Sequence, residues 1–174
     1  NTASALALPA IRKALSVDVV GVIGPGARAA VHQSTNKYIG VIATEATVNS
    51  GAYRDAIAKV DPSVNVIERA CPLFVSLAEE GWAESEVARC VAHEYLKAIS
   101  ESGVDTLVMG CTHYPILRKV IQETMGENVR LIDSGAATAI EVAALLSERG
   151  IEGNAPFGVQ SSVPFRVRNE SLAD

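Results

Sequence analysis

The chain has 174 residues, of which 48% are apolar and 20% are charged, and its formal net charge is −5. The apolar fraction is enough for a packed core and argues against extensive disorder. Fifteen scattered Lys and Arg residues against twenty Asp and Glu exclude the basic patch that nucleic acid or an anionic membrane surface would need, and no apolar run is long enough to span a bilayer. We therefore expect a small-molecule partner, no nucleic acid and no membrane.

Apolar runs rich in Val and Ile alternate with segments of helical periodicity, which is typical of an α/β protein with a mainly parallel sheet. In chain order, the pattern predicts a helix at 3–15, strands at 17–23 and 38–44, a helix at 48–59, a strand at 64–70, a helix at 85–100, a strand at 104–109, a helix at 115–125, a strand at 129–132 and a helix at 136–149. Residues 153–174 lose this periodicity, so we expect an irregular extension with a short strand at 164–167.

Gly24, Pro25 and Gly26 precede an alanine-rich segment. Glycines before a helix can present backbone amides to a phosphate, but Ala29 stands where a third glycine would complete that motif. We interpret the segment as a turn between a strand and a helix.

The odd number of cysteines fits reduced thiols of a cytoplasmic protein better than a disulfide framework. Cys90, His93, Cys111 and His113 are residue types that zinc accepts, so a zinc site is an alternative. The periodicity of the 85–100 helix puts Cys90 and His93 on its polar face, which disfavours that alternative.

Cys111 follows an apolar strand and precedes a helix that has Pro115 in its first turn. Ligands of open α/β sheets collect at the carboxyl ends of strands. A helix amino terminus and a nearby histidine, here His113, both favour a thiolate over a thiol. We expect Cys111 to be reactive, the alternative being a buried, inert cysteine beside a turn.

Cys71 also follows a predicted strand, but Pro72 and an apolar run come directly after it. We expect a buried structural cysteine there. Glu79 and Glu80 are interpreted as a solvated helix end, from which one carboxylate could orient a histidine.

Four segments, in order and spacing, resemble those of glutamate racemases, and the resemblance extends to about residue 150. They are Asn1-Thr2-Ala3-Ser4-Ala5, residues 42–53 from Ile42 to Tyr53, residues 70–75 from Ala70 to Val75, and Gly110-Cys111-Thr112-His113-Tyr114-Pro115. The resemblance implies two pseudo-symmetric α/β domains with mainly parallel sheets, of which the first is truncated here. Residues 1–23 would be a remnant of the first domain, 24–132 the second domain, and 133–174 a return helix and tail that complete the first.

The resemblance further implies a cofactor-independent and metal-free enzyme that interconverts L- and D-glutamate between two thiols. Cytoplasmic D-glutamate of this origin supplies peptidoglycan synthesis, and a homodimer is a further expectation. Cys111 would deprotonate L-glutamate, His113 would assist it, and Glu79 matches a carboxylate associated with that histidine. The substrate would be bound by Asn1, Thr2, Thr44, Thr47, Thr112 and His113.

The family's first catalytic cysteine is expected directly before Asn1, and its amino-terminal Asp-Ser-Gly motif has no counterpart at the start of this chain. Asp133-Ser134-Gly135 repeats those letters but is interpreted as a turn and helix cap. Because one base is missing, this chain alone is expected to be inactive. The alternatives are a non-catalytic amino-acid-binding fragment, an aspartate racemase, whose substrate differs by one methylene worth ~1–3 kcal/mol, and a thiol hydrolase that uses Cys111 and His113.

Overall fold

The computed structural model describes residues 1–150. The predictions for residues 153–174, including the strand at 164–167, lie outside this range. The described strands are β1 (Tyr38–Ala43), β2 (Asn65–Ala70), β3 (Thr106–Gly110) and β4 (Arg130–Asp133). The α-helices are α1 (Thr2–Leu6), α2 (Leu8–Ala14), α3 (Ile23–Gln33), α4 (Glu45–Asn49), α5 (Ala52–Val60), α6 (Leu73–Glu79), α7 (Glu86–Ser100), α8 (Arg118–Met125) and α9 (Ser134–Glu148), and a 3-10 turn, η1 (Tyr114–Leu117), leads into α8.

The four strands form one parallel sheet in the order β2-β1-β3-β4. The chain leaves β1 toward β2 and then crosses back to β3, so the direction of winding reverses between β1 and β3. Right-handed crossovers put the connecting helices on opposite faces when the direction reverses. In such sheets the ligand crevice lies at the carboxyl ends of the two strands flanking the reversal.

Helices cover both faces of the sheet. One core joins α6, α7 and α8 to β3 and includes Phe74, Leu96 and Leu107, and the other joins α3 and α5 to β1 and includes Ala27, Ile57 and Val41. The predicted apolar stripe of α7 is confirmed, because Ala88, Ala92, Leu96 and Ile99 are buried along it. The α/β prediction with a parallel sheet is therefore confirmed.

The predicted strand at 17–23 is wrong. Residues 17–21 form no strand, and Ile23 begins α3. β-Branched residues favour a strand locally, but here side chains of α1 and α2 form hydrogen bonds with backbone groups of this segment. The Val22 N–H donates to Ser4 Oγ at 3.2 Å, and Arg12 Nε donates to the Val19 carbonyl at 3.0 Å.

The predicted turn at Gly24-Pro25-Gly26 is also wrong, since all three residues lie inside the first turns of α3. Proline is tolerated there because the first amides of a helix have no intrahelical acceptor.

Two predicted helices are each divided in two. The 3–15 segment breaks at Ala7, just before Pro9 in the first turn of α2, because proline lacks the amide that a continuous helix needs. The 48–59 segment breaks before Gly51, whose φ of 66° is left-handed and ends α4. Helix α6 is not among the predicted helix ranges, although its last residue, Glu79, is interpreted above as part of a helix end. Its buried residues Phe74, Leu77 and Ala78 follow the i, i+3, i+4 spacing of a helix.

The division into regions 1–23, 24–132 and 133–174 stays a prediction. None of the helices within residues 1–150 is both long and apolar enough to cross a membrane.

Candidate active site

The candidate site lies at the carboxyl edge of the sheet, where the winding reverses. The last residues of β1 and β3, Ala43 and Gly110, are paired across the sheet. The residues that follow them, Thr44 and Cys111, therefore leave the sheet side by side. The predicted location of Cys111 at a strand end is confirmed.

Cys111, His113 and Glu79 form a chain of polar contacts. The Cys111 Sγ lies 3.7 Å from Nδ1 of His113, and Nε2 of the same imidazole lies 3.2 Å from Oε1 of Glu79. The imidazole therefore bridges the thiol and the carboxylate through its two nitrogens, an arrangement suited to passing a proton to or from sulfur. Exposure to solvent increases from Cys111 to Glu79 along this series of contacts. Only 7% of Cys111 is exposed, compared with 61% of the Glu79 side chain.

A cavity of about 350 Å³ opens beside the Cys111 thiol. It is lined by Asn1, Val22, Cys111, Thr112, Pro115, Asp133, Ser134, Gly135 and Ala136. Larger depressions lie along α8 and α9, but neither contains Cys111, His113 or Glu79, so volume alone does not identify the chemical site.

Asn1 borders this cavity, and its side-chain carbonyl is held from behind. The Tyr53 hydroxyl donates to Asn1 Oδ1 at 2.5 Å, and the Ser134 hydroxyl lies within donating distance of the same oxygen at 3.2 Å. Thr112, adjacent to the thiol, is exposed on the cavity wall.

Thr2, Thr44 and Thr47 form a triangle of hydroxyl groups with oxygen separations of 3.0, 3.1 and 3.1 Å. Thr44 also caps α4, where its oxygen accepts from the Thr47 amide at 3.4 Å. Thr47 is fully buried. In this conformation the three hydroxyls form hydrogen bonds with one another, and the buried Thr47 holds the hydroxyls of Thr2 and Thr44 in place.

The other two cysteines are separated from this site. Cys71 is fully buried, which raises the pKa of its thiol to about 12, so the expectation of a buried structural cysteine is confirmed. Cys90 and His93 are exposed on the outer side of α7. Within residues 1–150, no three His, Cys, Asp or Glu side chains are grouped as metal ligands.

Sequence reasoning missed Tyr53 and Ser134 as parts of this site. Tyr53 ends one of the family-like segments, but nothing in its local sequence indicates that its hydroxyl reaches Asn1, which borders the cavity. Asp133 does cap α9 by accepting from the amides of Gly135 and Ala136, as predicted. Ser134 carried one usable signal, because it directly follows β4 at the carboxyl edge.

The class of protein follows from comparison with known families. The chain belongs to the Asp/Glu/hydantoin racemase family, whose model matches residues 1–142. Among its relatives, the chain is 56% identical to the glutamate racemase of Geobacter metallireducens over 167 residues, which are 96% of this chain and 61% of that protein.

Solved structures of glutamate racemases have the same fold. One, an isoform from Bacillus anthracis, matches with a TM-score of 0.84 at 37% identity over 88% of this chain and 57% of its own. Another, from Francisella tularensis in complex with D-glutamate, matches with a TM-score of 0.81 at 34% identity, covering 89% of this chain and 57% of that one. The chain thus spans less than two thirds of the length of these relatives, and the predicted resemblance to glutamate racemases is confirmed.

Proposed function

We propose that the protein acts as a glutamate racemase that interconverts L- and D-glutamate without a cofactor. The contact chain from Cys111 through His113 to Glu79 carries this proposal, because it equips one thiol for proton transfer at the ligand edge of the sheet. The identity to glutamate racemases supports glutamate, rather than aspartate, as the substrate.

In the proposed reaction, the Cys111 thiolate takes the α-proton of L-glutamate and becomes a thiol, and the electron pair of the broken C–H bond stays on the α-carbon. A proton delivered to the opposite face of that carbon then gives D-glutamate. His113 receives the proton of the Cys111 thiol through Nδ1 and so restores the thiolate, while Glu79 holds Nε2. In the reverse direction, the Cys111 thiol returns a proton to the same face.

Asn1 and Thr112 line the cavity, and the hydroxyls of Thr2 and Thr44 lie outside its lining, at the ends of neighbouring elements. We assign the binding of the substrate carboxylates and amino group to Asn1, Thr2, Thr44 and Thr112, with Thr47 fixing the hydroxyls of Thr2 and Thr44. Such short polar groups stabilise charge that develops on the substrate in a partly dry site.

Racemisation also requires an acid or base on the opposite face of the α-carbon. Within the described residues, Cys111 is the thiol that lines the cavity, whereas Cys71 is buried and Cys90 is exposed on α7. The proposal therefore assigns one face of the reaction to this chain. A cytoplasmic location, a homodimer and a supply of D-glutamate for peptidoglycan synthesis are parts of the same proposal.

The test uses the complete protein, meaning a form that also carries the acid or base for the opposite face of the α-carbon. L-glutamate and D-glutamate are offered to it separately, and circular dichroism is followed without added cofactor or metal. Either enantiomer is expected to decay to the same racemic mixture, while aspartate is not turned over. Cys111→Ser is expected to lower kcat by at least about 10³-fold in both directions, since a serine hydroxyl is a far weaker acid than a thiol and is almost never ionised to act as a base near neutral pH.

Retention of turnover within tenfold of the original in Cys111→Ser would contradict the assignment of Cys111 as a base. The same reaction in deuterium oxide separates the alternatives. A racemase introduces deuterium at the α-carbon, a thiol hydrolase forms a covalent acyl-enzyme instead, and a binding fragment does neither.

A further inference from the structure

The side-chain amide of Asn1 forms hydrogen bonds with the protein only through its carbonyl oxygen, among residues 1–150. Both the Tyr53 hydroxyl, at 2.5 Å, and the Ser134 hydroxyl, at 3.2 Å, approach its carbonyl oxygen. None of the side-chain hydrogen bonds among residues 1–150 uses the Nδ2 group of Asn1, and the residue borders the cavity beside Cys111. The carbonyl end of the amide is thus occupied by the protein, and the NH₂ end is available to a ligand.

Tyr53 is suited to act as a permanent donor. Its side chain is fully buried, and burial is the main cause that raises the pKa of its hydroxyl far above the usual value, although a hydrogen bond with Ser134 lowers it in part. The hydroxyl therefore keeps its proton throughout the neutral pH range and donates it to a carbonyl oxygen.

Two glycines make room for this pair of hydroxyls. A Cβ atom on Gly110 would lie 2.8 Å from Cε2 of Tyr53, and one on Gly26 would lie 3.0 Å from the Ser134 Cβ and 3.4 Å from the Tyr53 hydroxyl. Gly26 lies inside α3, where glycine weakens a helix relative to alanine. The space required by Tyr53 and Ser134 explains why glycine, rather than a larger residue, occupies positions 26 and 110.

We propose that Tyr53 and Ser134 are positioning residues that fix the Asn1 amide with its NH₂ group toward a carboxylate of the substrate. An amide turned by half a rotation would lose the hydrogen bond from Tyr53 to its carbonyl oxygen and would present that oxygen to the anion. The contribution of Ser134 is smaller, because its single proton can go to Asn1 Oδ1 at 3.2 Å or to the Met109 carbonyl at 3.4 Å. This inference rests on the proposed function for the identity of the substrate, and on the hydrogen bonds alone for the orientation of the amide.

The test measures both binding and turnover of the intact protein. Tyr53→Phe removes one hydroxyl and keeps the buried ring. We expect KM for both glutamate enantiomers to rise about 5- to 10-fold, with kcat changed less than about twofold, because an interaction equal in ground and transition states affects KM alone. In a Cys111→Ser background, the dissociation constant of L-glutamate measured by calorimetry should rise by the same factor, and Ser134→Ala should have a smaller effect in the same direction.

Tyr95→Phe is the matched control. Like Tyr53→Phe, this substitution removes a tyrosine hydroxyl that forms a hydrogen bond. The Tyr95 hydroxyl accepts from the Leu73 amide at 3.3 Å, and Tyr95 lies on α7. We expect its KM to be unchanged. A rise in KM equal to that of Tyr53→Phe would mean that loss of any such hydroxyl weakens the protein generally, and would overturn the inference.

A double variant decides whether Tyr53 acts through Asn1. In an Asn1→Ala background, Tyr53→Phe should cause no further rise in the dissociation constant, because the group to be oriented is gone. Additive effects would overturn the positioning role. If the original protein neither binds nor racemises glutamate, the proposed function fails, whereas normal glutamate turnover with an unaffected Tyr53→Phe variant refutes only the present inference.

Discussion

The two strands that flank β1 reach the same edge of the sheet but lead into different surroundings. β2 and β3 both run to the carboxyl edge and are both followed at once by a cysteine, Cys71 and Cys111. After β2 the chain turns into an apolar helix, and the Cys71 thiol contacts the Arg69 carbonyl at 3.7 Å in the core. After β3 the thiol meets the His113 imidazole and a cavity.

The difference comes from the position of each strand in the sheet. β2 is an outer strand, whereas β3 is an inner strand that faces β1 across the point where the winding reverses. Helices covering opposite faces diverge at that point and leave a crevice between the strand ends. A cysteine at a strand end is therefore a candidate for chemistry only where the topology opens the edge.

The largest contrast between the two cysteines is expected in their rates of alkylation. Burial raises the pKa of Cys71 to about 12, so its thiolate fraction at pH 8 is about 10⁻⁴. We expect iodoacetamide to modify Cys71 at least about 100-fold more slowly than Cys111. Peptide mass spectrometry of the native protein at successive times gives the individual rates.

Exposed Cys90 serves as the internal control for these rates. Added glutamate should slow the labelling of Cys111 and leave that of Cys90 unchanged. If Cys111 were modified no faster than Cys71, the crevice would be closed to small molecules and the comparison would fail.

Much of the fold could be predicted because it is encoded locally. The strands at 38–44, 64–70, 104–109 and 129–132 are short segments rich in Val, Ile and Leu, and the observed strands lie within two residues of those bounds. The segment at 17–23 carries the same composition and fails as a strand. Its hydrogen-bond partners are Ser4 and Arg12 on the preceding helices, and this is tertiary information that a local pattern does not contain.

The site divides in the same way. Cys111 and His113 are two residues apart, so their contact could be predicted from the sequence. From the residues alone, Glu79 or Glu80 could orient a histidine, and only the family resemblance selected Glu79 and His113. The structure brings these two side chains together. Tyr53 and Ser134 reach Asn1 from α5 and from the end of β4, over 52 and 133 residues of chain. Only the packing around Gly26 and Gly110 determines that approach.

Unlike Cys71, Cys111 has a histidine beside it, and that histidine contacts Glu79. Substituting His113 or Glu79 should therefore lower kcat by less than substituting Cys111 itself. His113→Asn is expected to lower kcat about 10²-fold, because general acid–base assistance to Cys111 is lost. Glu79→Gln is expected to lower it only about 5-fold, since an exposed contact between a carboxylate and the imidazolium formed during the reaction is worth at most about 1 kcal/mol. Steady-state racemisation in both directions gives these values, and kcat/KM must fall equally in each because enantiomers have equal free energies.

Glu80→Gln is the matched control, since this neighbouring carboxylate is exposed and forms no ion pair within the described residues. It should leave kcat unchanged. In a His113→Asn background, Glu79→Gln should have no further effect. A persistent 5-fold loss there would show that Glu79 acts on something other than the imidazole.

The smallest expected effect on turnover concerns the opposite end of β3, where hydrogen bonds stabilise the fold and no change in kcat is expected. Asp105 accepts hydrogen bonds from Ser34 Oγ at 2.7 Å, from the Thr35 amide at 2.6 Å and from the Asn36 amide at 2.8 Å. Partial burial by itself raises the pKa of this carboxyl, but the hydrogen bonds outweigh burial and hold the pKa well below its usual range. The carboxylate thus ties the end of α3 to the start of β3.

Asp105→Asn is expected to lower the free energy of unfolding by about 2 kcal/mol at pH 7, because hydrogen bonds to a charged acceptor are replaced by weaker ones.

Since the folded-state pKa of Asp105 is depressed, its contribution to stability is fully present above the unfolded pKa of about 3.9 and is lost as the pH falls toward the folded pKa. Urea titrations at pH 7 and pH 3 should therefore show a smaller difference between variant and original at pH 3. Asp61→Asn removes a surface carboxylate whose partners are Ser63 and the exposed ammonium group of Lys37, and it should change stability little. If Asp105→Asn instead lowered kcat in the folded protein, the amino end of β3 would be coupled to Cys111, and the separation of stability from chemistry along this strand would be refuted.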